Sequence, residues 1–161
     1  MNNRPWEWPT KKKEFGIRRM ERRDLDEVVS IEADSSVTPW SRQMFIDEMG
    51  HPYGACFVMT SMEASGASVI GFICFRNIGE ESELLNLCLR PDCRRAGLGR
   101  ELMQFYTAYS LTRGIKTFHL EVDPANRSAI ELYRLFAYRP VSVRPRYYRG
   151  TTDALRMMKG M

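Results

Sequence analysis

A change of hydrophobic period within residues 84–122 limits the possible folds of this chain more than any other feature of its sequence. The run Leu84–Leu89 is apolar and short, as expected of a buried strand. A second strand-like run lies at Thr117–Val122, and between the two runs apolar residues recur at helical spacing at Leu102, Phe105, Tyr106 and Tyr109. Strand, loop, helix and strand in this order predict a parallel crossover, and therefore a mixed sheet with helices packed on its faces.

The rest of the chain adds elements to this sheet on both sides. Runs of alternating or continuous apolar residues, separated by glycine-containing turns, indicate further strands, and polar capping residues indicate further helices. Strands are predicted through Ile17 and at Ala55–Thr60, Ser68–Phe75, Tyr138–Val143 and Ala154–Met158, and helices are predicted to begin at Asp24, Ser41 and Asn126.

Two of these helix starts carry specific signals. Asp24 followed by Glu27 is a capping-box pattern, in which each side chain binds a free backbone N–H at the start of the helix. At the second start, Trp40 precedes the capping Ser41 and is placed to pack on Phe45 as a hydrophobic staple.

Length and composition bound the class of protein. With 161 residues, 43% of them hydrophobic, the chain is long enough to bury one core. We expect a single domain over residues 15–161 after a mobile basic tail at residues 1–14. Of the net charge of +4, four basic residues and one acidic residue in the first 13 positions account for +3, which leaves +1 for the remainder. A nearly neutral domain argues against a dedicated nucleic-acid binder.

The sequence carries no signal for a membrane segment or a metal site. The longest apolar runs, such as Val69–Phe75, are too short to cross a bilayer, and the polar start lacks the apolar stretch of a signal peptide. We therefore expect a cytoplasmic protein. The four cysteines form no C-x-x-C pair and no cluster with histidine, so neither a zinc site nor a disulfide framework is expected.

The loop Arg94–Arg100, between the first strand and the helix of the crossover, is the part of the chain best suited to bind an anion. Gly97 and Gly99 remove side chains that would block close approach. Backbone N–H groups and the positive end of the helix predict a pyrophosphate cradle, to which the three arginines of the loop add charge. The spacing fits neither G-x-G-x-x-G nor a P-loop. A tight strand-to-helix turn without any ligand explains the glycines equally well.

The R-x-x-G-x-G pattern at Arg94–Gly99 resembles the acetyl-CoA pyrophosphate motif of the GNAT superfamily of N-acetyltransferases, whose fold the predicted order of elements also resembles. The chain further resembles the RimI subfamily of ribosomal-protein-alanine N-acetyltransferases at Leu84–Leu87, Leu120–Val122, Asn126, Ala129–Tyr133, Pro39–Ser41 and Arg146–Tyr148. The resemblance covers about residues 15 to 159. It departs from the subfamily pattern at Ala137-Tyr138, where Gly-Phe is usual, and in the added basic tail.

The resemblance implies an acyl-CoA N-acyltransferase fold and transfer of the acetyl group of acetyl-CoA to the α-amino group of a protein N-terminus. In this subfamily the acceptor is the N-terminal alanine of a small-subunit ribosomal protein. The resemblance also implies that Glu121 is the general base and Tyr133 the general acid. It assigns coenzyme binding to Leu87, Cys88, Leu89, Arg94, Arg95, Ala96, Gly97, Leu98, Gly99, Arg100, Asn126 and Tyr133.

Elementary chemistry is compatible with these roles but does not require them. Strand alternation places His119 and Glu121 on the face opposite Leu120, so Glu121 is able to face a cleft. An α-amino group, with a pKa of about 7.7–8.0, needs a weaker base than a lysine near 10.4, and a phenol near 10 stays protonated at neutral pH. From the residues alone, Glu121 as a surface carboxylate, Tyr133 as a core residue, Asn126 as a plain helix cap and His119 as an alternative base all remain open.

The acceptor side is less well defined by sequence. Trp40, Tyr147 and Tyr148 are candidates for a peptide groove, because aromatic side chains supply contact area with few rotors to freeze, although packing explains them equally well. The arginines at 139–149 form either a solvated loop or an RNA contact. Acetylation of lysine side chains or small amines, and acyl-CoA binding without catalysis, are the competing functions. The sequence does not determine the oligomeric state.

Overall fold

One eight-stranded mixed sheet organises the molecule, in the strand order β1-β2-β3-β4-β5-β6-β8-β7. The computed structural model describes residues 8–9, 14–148 and 152–160, and of residues 8, 9, 147, 148 and 152 only the backbone. The strands are β1 (Trp8–Pro9), β2 (Phe15–Arg19), β3 (Gly54–Glu63), β4 (Gly66–Ile78), β5 (Glu81–Leu89), β6 (Thr117–Val122), β7 (Arg139–Tyr148) and β8 (Thr152–Gly160). The α-helices are α1 (Leu25–Ser35), α2 (Arg42–Met49), α3 (Leu98–Leu111) and α4 (Arg127–Leu135).

The predicted crossover and the mixed sheet are confirmed. Strand β5 pairs with β6 in parallel, and the other neighbouring strands pair antiparallel. The last two strands do not simply follow each other across the sheet, because β8 lies between β6 and β7. As a result β6 is an interior strand, and β7 forms the edge.

Each face of the sheet has its own hydrophobic core. On one face α3 and α4 cover the larger cluster, in which Phe57, Phe105 and Tyr106 are fully buried. On the other face α1 and α2 cover a smaller cluster that includes Phe45 and Phe72. Burying a side chain of this size stabilises the folded state by about 1.5–3 kcal/mol. Burial on both faces therefore holds the sheet between the two layers of helices.

The start of α2 forms as the sequence predicts. Ser41 caps the helix by accepting a hydrogen bond from the Met44 amide at 3.2 Å. The ring of Trp40 packs on Phe45 with centroids 5.2 Å apart. Cap and staple together fix the angle at which the chain enters the helix.

The capping box predicted at Asp24 and Glu27 is wrong. Asp24 does not cap α1 with its side chain; its carboxylate accepts the Glu21 amide at 2.7 Å and both terminal nitrogens of Arg18 at 2.8 Å. Glu27 instead accepts the Val69 amide at 3.0 Å. The carboxylates serve a 3-10 turn and the neighbouring strand, because tertiary partners offered better donors than the local helix start did. The Arg18 hydrogen bond also lowers the pKa of Asp24 against the opposing effect of burial.

Of the predicted N-terminal tail, only Trp8–Pro9 and Glu14 are described. The backbone of β1 pairs antiparallel with Gly16 and Ile17 of β2. Residues 1–7 and 10–13 lie outside the described part of the chain. Within that described part, no helix has both the length and the apolar character needed to span a membrane.

Candidate active site

The sheet opens between β5 and β6. Their parallel pairing runs from Glu81 opposite Thr117 to Leu84 opposite Leu120, and the described residues show no pairing between the two strands beyond that point. A β-bulge lies at the same level, because Cys74 pairs with Asn86 and the next residue of β4 pairs with Leu84, which leaves Leu85 without an opposing residue. A bulge bends its strand, so the end of β5 turns away from β6 and leaves a gap.

One side of the gap is the end of β5, where the predicted coenzyme residues Leu87, Cys88 and Leu89 lie half-buried. These residues pair with β4, and Leu89 lies opposite Gly71. A Cβ atom on Gly71 would stand 2.6 Å from the Leu89 side chain and 2.9 Å from the Cys88 carbonyl oxygen. The glycine is therefore required for β5 to lie this close to β4.

The loop that follows β5 presents backbone to solvent. Arg95 and Gly97 have φ angles of 60° and 80°, and α3 begins at Leu98. Alternating left-handed residues turn successive N–H groups to one side and form an anion-binding concavity. A Cβ atom on Gly97 would meet nothing within 4 Å, so space is open beside this backbone. The loop and the unpaired N–H groups at the start of α3 fit a pyrophosphate.

The other residues of this segment divide into anchors and exposed groups. Leu98 is buried in the larger core, and Gly99 lies against α4, where a Cβ atom would stand 3.3 Å from the Leu132 side chain. Ala96, Arg95 and Arg100 are exposed. Leu98 and Gly99 therefore fix the start of α3, and the exposed residues remain accessible to a ligand.

The guanidinium of Arg94 has a structural role. Its guanidinium donates from Nε to the Leu89 carbonyl oxygen at 3.2 Å and from Nη2 to Ser35 Oγ at 2.8 Å. These bonds join the end of β5 to the end of α1. Sequence reasoning assigned Arg94 only to phosphate charge and missed its contact with Ser35.

Glu121 lies on the interior strand β6, not on an edge. Phe118, Leu120 and Val122 point into the larger core, and Glu121 points to the opposite face as the alternation predicts. Its carboxylate side chain is 16% exposed and accepts from Arg144 Nη1 at 3.3 Å and 3.4 Å. A half-buried carboxylate beside the gap is suited to remove a proton from a bound amine.

A surface cavity of about 370 Å³ extends from Glu121 along this face. Both acidic and basic side chains line the cavity, and His119 from β6 adds an imidazole. The charged residues of the cavity are Arg76, Glu81, Glu83, Glu121, Arg144 and Arg156. Arg76 is committed elsewhere, because it forms two hydrogen bonds of 2.8 Å and 2.6 Å with the buried Glu48.

Tyr133 and Asn126 belong to α4, on the face opposite Glu121. Tyr133 is 8% exposed and packs in the larger core, with its ring centroid 6.0 Å from that of Tyr138. Asn126 caps α4 by accepting the Ala129 amide at 3.2 Å. Glu121 and Tyr133 therefore lie on opposite faces of the sheet.

Glu32 is a residue of this region that sequence reasoning missed. Its side chain is buried, and its carboxylate accepts the Trp40 amide at 3.1 Å, Asn86 Nδ2 at 3.0 Å and Cys88 Sγ at 3.3 Å. Burial and the adjacent carboxylate raise the pKa of the Cys88 thiol far above its usual value. The available signal was the position of Glu32 on the apolar face of α1, seven residues after Leu25.

Of the three aromatic residues proposed for the acceptor groove, only Trp40 has its side chain within the described part of the chain. Trp40 is half-buried and packs on Phe45, so its ring already has a structural partner. The side chains of Tyr147 and Tyr148 lie outside the described residues. In the arginine stretch, Arg139 and Arg146 are exposed, Arg144 contacts Glu121, and Arg149 lies outside the described part.

Comparison with known proteins identifies a match over most of the chain. The model of the Acetyltransferase (GNAT) family matches residues 22–138. The ribosomal protein bS18-alanine N-acetyltransferase of Escherichia coli K12 is 30% identical over 137 residues, 85% of this chain and 88% of that protein. The Salmonella typhimurium LT2 protein of the same name is 31% identical, over 83% and 89% of the two chains.

A solved structure gives the same result. The crystal structure of the ribosomal-protein-S18-alanine N-acetyltransferase from Escherichia coli superposes with a TM-score of 0.80 at 28% identity. The superposition covers 91% of this chain and 93% of that one.

Proposed function

This chain belongs to the GNAT family of acetyl-CoA-dependent acetyltransferases, and from that premise we propose that it acetylates the α-amino group of a protein N-terminus. The proposed acceptor is the N-terminal alanine of a small-subunit ribosomal protein. The observation that carries the proposal is the position of Glu121, a half-buried carboxylate on a cavity wall beside the gap between β5 and β6. The Escherichia coli and Salmonella typhimurium relatives described above are named for the same reaction.

Both backbone groups and side chains of the coenzyme residues take part in the proposed binding. We assign the pyrophosphate to the backbone of Arg95–Gly97 and to the start of α3, with Arg95 and Arg100 as charged neighbours. The pantetheine arm would follow the end of β5 at Leu87–Leu89. Acetyl-CoA supplies the thioester, and the residues of this chain hold it in the gap between the two strands.

In the proposed reaction the neutral amine nitrogen forms a bond to the acetyl carbonyl carbon, and the bond from that carbon to sulfur breaks. Glu121 takes the proton that the amine gives up, directly or through water. The phenol of Tyr133 donates a proton to the departing thiolate, and the phenolate regains a proton from solvent before the next turnover. An α-amino group is the easier acceptor, because at neutral pH a larger fraction of it is unprotonated than of a lysine amine.

Arg144 has a defined part in this scheme. Its side chain is 60% exposed, and such an ion pair contributes at most about 1 kcal/mol. The incoming amine is therefore able to displace the guanidinium from Glu121 at low cost. Trp40, Tyr147 and Tyr148 remain the proposed walls of the peptide groove.

The test is thiol release from acetyl-CoA with a set of acceptors. One peptide carries the N-terminal sequence of the bS18 protein from the same organism, and the others are an N-terminally blocked copy, a blocked peptide containing lysine, and a polyamine. We expect turnover with the free N-terminus only. Replacing Glu121 with Gln is expected to lower kcat by roughly 10²–10³-fold, whereas Glu131→Gln, an exposed change on α4, leaves it unaltered.

The other outcomes separate the competing functions. Turnover on lysine or the polyamine without turnover on the free N-terminus would disprove the acceptor and keep the acetyltransferase. Binding of acetyl-CoA without turnover on any acceptor would instead indicate an acyl-CoA-binding module.

A further inference from the structure

The proposed reaction leaves one proton on Glu121 in every turnover, and this carboxylate must lose it before the next acceptor binds. The side chain of Glu121 is mostly buried, and its only hydrogen-bond partner among the described residues is Arg144, which is a donor and not a proton acceptor. A route for the proton to solvent is therefore required. The inference that follows rests on the proposed function.

His119 lies at the correct place for the next step of such a route. It precedes Glu121 by two residues on β6 and lines the same cavity. Positions two apart on a strand share a face and are separated by roughly 6.5 Å, a distance that one or two water molecules bridge.

The imidazole of His119 has unused hydrogen-bonding capacity. Both ring nitrogens are buried, and neither has a hydrogen-bond partner among the residues that the structure describes. A buried polar group without a partner costs about 1–3 kcal/mol. Because neither nitrogen is accessible to water in this orientation, the relay requires the ring to turn toward the cavity, where water becomes the partner. A histidine with a purely structural role would instead be bonded to neighbouring protein groups.

The third member of the route is Glu81, at the start of β5. Its carboxylate oxygen Oε1 is 3.9 Å from His119 Nε2, and its side chain is 70% exposed. Exposure thus rises from Glu121 and His119, each 16%, to Glu81. The order of these three groups runs from the reacting centre to bulk solvent.

The remaining charged groups of the cavity carry both signs. Glu83 on β5 and Glu121 are acidic, as Glu81 is. Arg76 on β4, Arg144 on β7 and Arg156 on β8 are basic, and Arg76 is paired with Glu48.

We propose that His119 carries the proton away from Glu121. Through cavity water the imidazole accepts a proton at one ring nitrogen and releases one from the other to Glu81 or solvent, so that Glu121 returns to the carboxylate and His119 to the neutral form. No oxidant or further reactant is needed. Histidine suits this task because its unperturbed pKa of about 6.5 lies between those of a carboxylic acid and an amine.

The experiment measures the pH dependence of kcat in His119→Ala and His119→Phe, with the acceptor peptide that the wild-type protein uses. We expect kcat to fall on the order of tenfold in both variants, because a relay contributes less than the general base itself. KM for acetyl-CoA and for the peptide should change less than twofold, roughly. Added imidazole should restore kcat in His119→Ala, where the side chain leaves space, but not in His119→Phe, where the ring fills it.

The variant His51→Ala is the matched control, since the chain has two histidines and His51 lies outside the cavity. It should retain the wild-type pH profile. If His119→Phe keeps the wild-type kcat from pH 6 to pH 9, or if its defect is confined to KM, the relay is disproved while the proposed function stands. If the wild-type protein acetylates no N-terminal peptide, the proposed function fails and the relay with it.

Discussion

The two halves of the candidate site are built in different ways. The coenzyme half consists of the end of β5, the loop 90–97 and the start of α3, and it presents mainly backbone groups held by glycines and a bulge. The acceptor half consists of Glu121, His119, Glu32, Trp40 and Arg144, and it presents side chains from four separate segments. The coenzyme half is nearly continuous in sequence, whereas the acceptor half is assembled across more than a hundred residues, from Glu32 to Arg144.

This difference has a chemical reason. A pyrophosphate is the same in every turnover, so rigid N–H groups from a short segment are sufficient to bind it. An acceptor must be both recognised and deprotonated, and that requires ionisable side chains on opposite sides of a cleft. Changes in the coenzyme half should therefore act on acetyl-CoA binding, and changes in the acceptor half on kcat and on acceptor KM.

The largest effect is expected at Glu32, which contacts both halves through Trp40 and Asn86. Glu32→Ala removes the acceptor of three part-buried donors, and at about 1 kcal/mol for each unsatisfied group, the low end of the range for buried groups, it should lower the free energy of unfolding by roughly 3 kcal/mol. Glu32→Gln keeps one of the two acceptor oxygens and places an amide N–H at the other, so it should recover only part of the loss. Urea unfolding measures both variants, and Asp34→Ala, an exposed change on the same helix, is the control.

The kinetic result at Glu32 decides whether the two halves are separable. In the folded Glu32→Gln protein we expect a higher acceptor KM and an unchanged KM for acetyl-CoA. The reason is that the loop that carries Trp40 is expected to move when its bond to Glu32 weakens, whereas β5 is held in place by its pairing with β4. Equal increases in both constants would show that the halves act as one unit.

A smaller effect is expected at Gly71, under the end of β5. In Gly71→Ala the new methyl group has no room beside Leu89 and the Cys88 carbonyl, and overpacking of this kind costs roughly 1–3 kcal/mol. The strand has to shift, so KM for acetyl-CoA should rise with little change in acceptor KM. Thermal unfolding and steady-state kinetics measure the two effects. Gly160→Ala is the matched control, because a Cβ atom there meets nothing within 4 Å.

Substitutions at Gly97 distinguish the effect of backbone conformation from the effect of available space in the coenzyme half. Its φ of 80° is left-handed, and a residue with a Cβ atom pays about 1–2 kcal/mol to adopt it. Gly97→Ala should therefore weaken acetyl-CoA binding several-fold although no atom obstructs the methyl group. Gly97→Asn should lose less, because asparagine tolerates this conformation. Calorimetric titration with acetyl-CoA is the measurement, and equal affinity in all three proteins would contradict the assignment.

The smallest effect is expected at Lys159, which belongs to neither half. Its ammonium group is buried against the rings of Phe118 and Tyr138, 4.7 Å and 5.2 Å from their centroids, and donates to Thr107 Oγ1 at 3.3 Å. Burial lowers its pKa below the ordinary value of 10.5. Lys159→Met should raise the free energy of unfolding at pH 7 by less than about 1 kcal/mol, since ring contacts offset part of the desolvation.

The sign of the pH dependence at Lys159 follows from the lowered pKa. Between the folded and the unfolded pKa the unfolded chain binds more protons, so this lysine makes the wild-type protein more stable as the pH rises toward 10.5. The advantage of Lys159→Met should therefore shrink as the pH rises toward 10.5. Denaturant titrations of both proteins across this range measure the difference, and an advantage that grows with pH would contradict it. Neither KM should change.

Most of the fold was predictable because its signals are local. The Ser41 cap and the Trp40–Phe45 staple each depend on residues within a few positions of one another. The period change at residues 84–122 combines three segments, a strand, a helix and a strand, each with its own local pattern, and all are found in the structure. The failure at Asp24 and Glu27 shows the limit of local signals. Both carboxylates match a capping box, but donors from Arg18, Glu21 and Val69 bind them instead.

By itself the sequence determined the mixed sheet, the glycine-containing loop between β5 and α3 and the face of β6 on which Glu121 lies, because backbone periodicity and glycine conformation are properties of short segments. Only the tertiary structure decided which groups contact the face of β6 that carries Glu121. The register of β7 on β8 and of β8 on β6 places Arg144 within reach of Glu121 across the intervening strand, and the bulge at Leu85 opens the gap beside it. Pairing between strands distant in sequence depends on register and on the competition of all strands for neighbours, and no single segment encodes either.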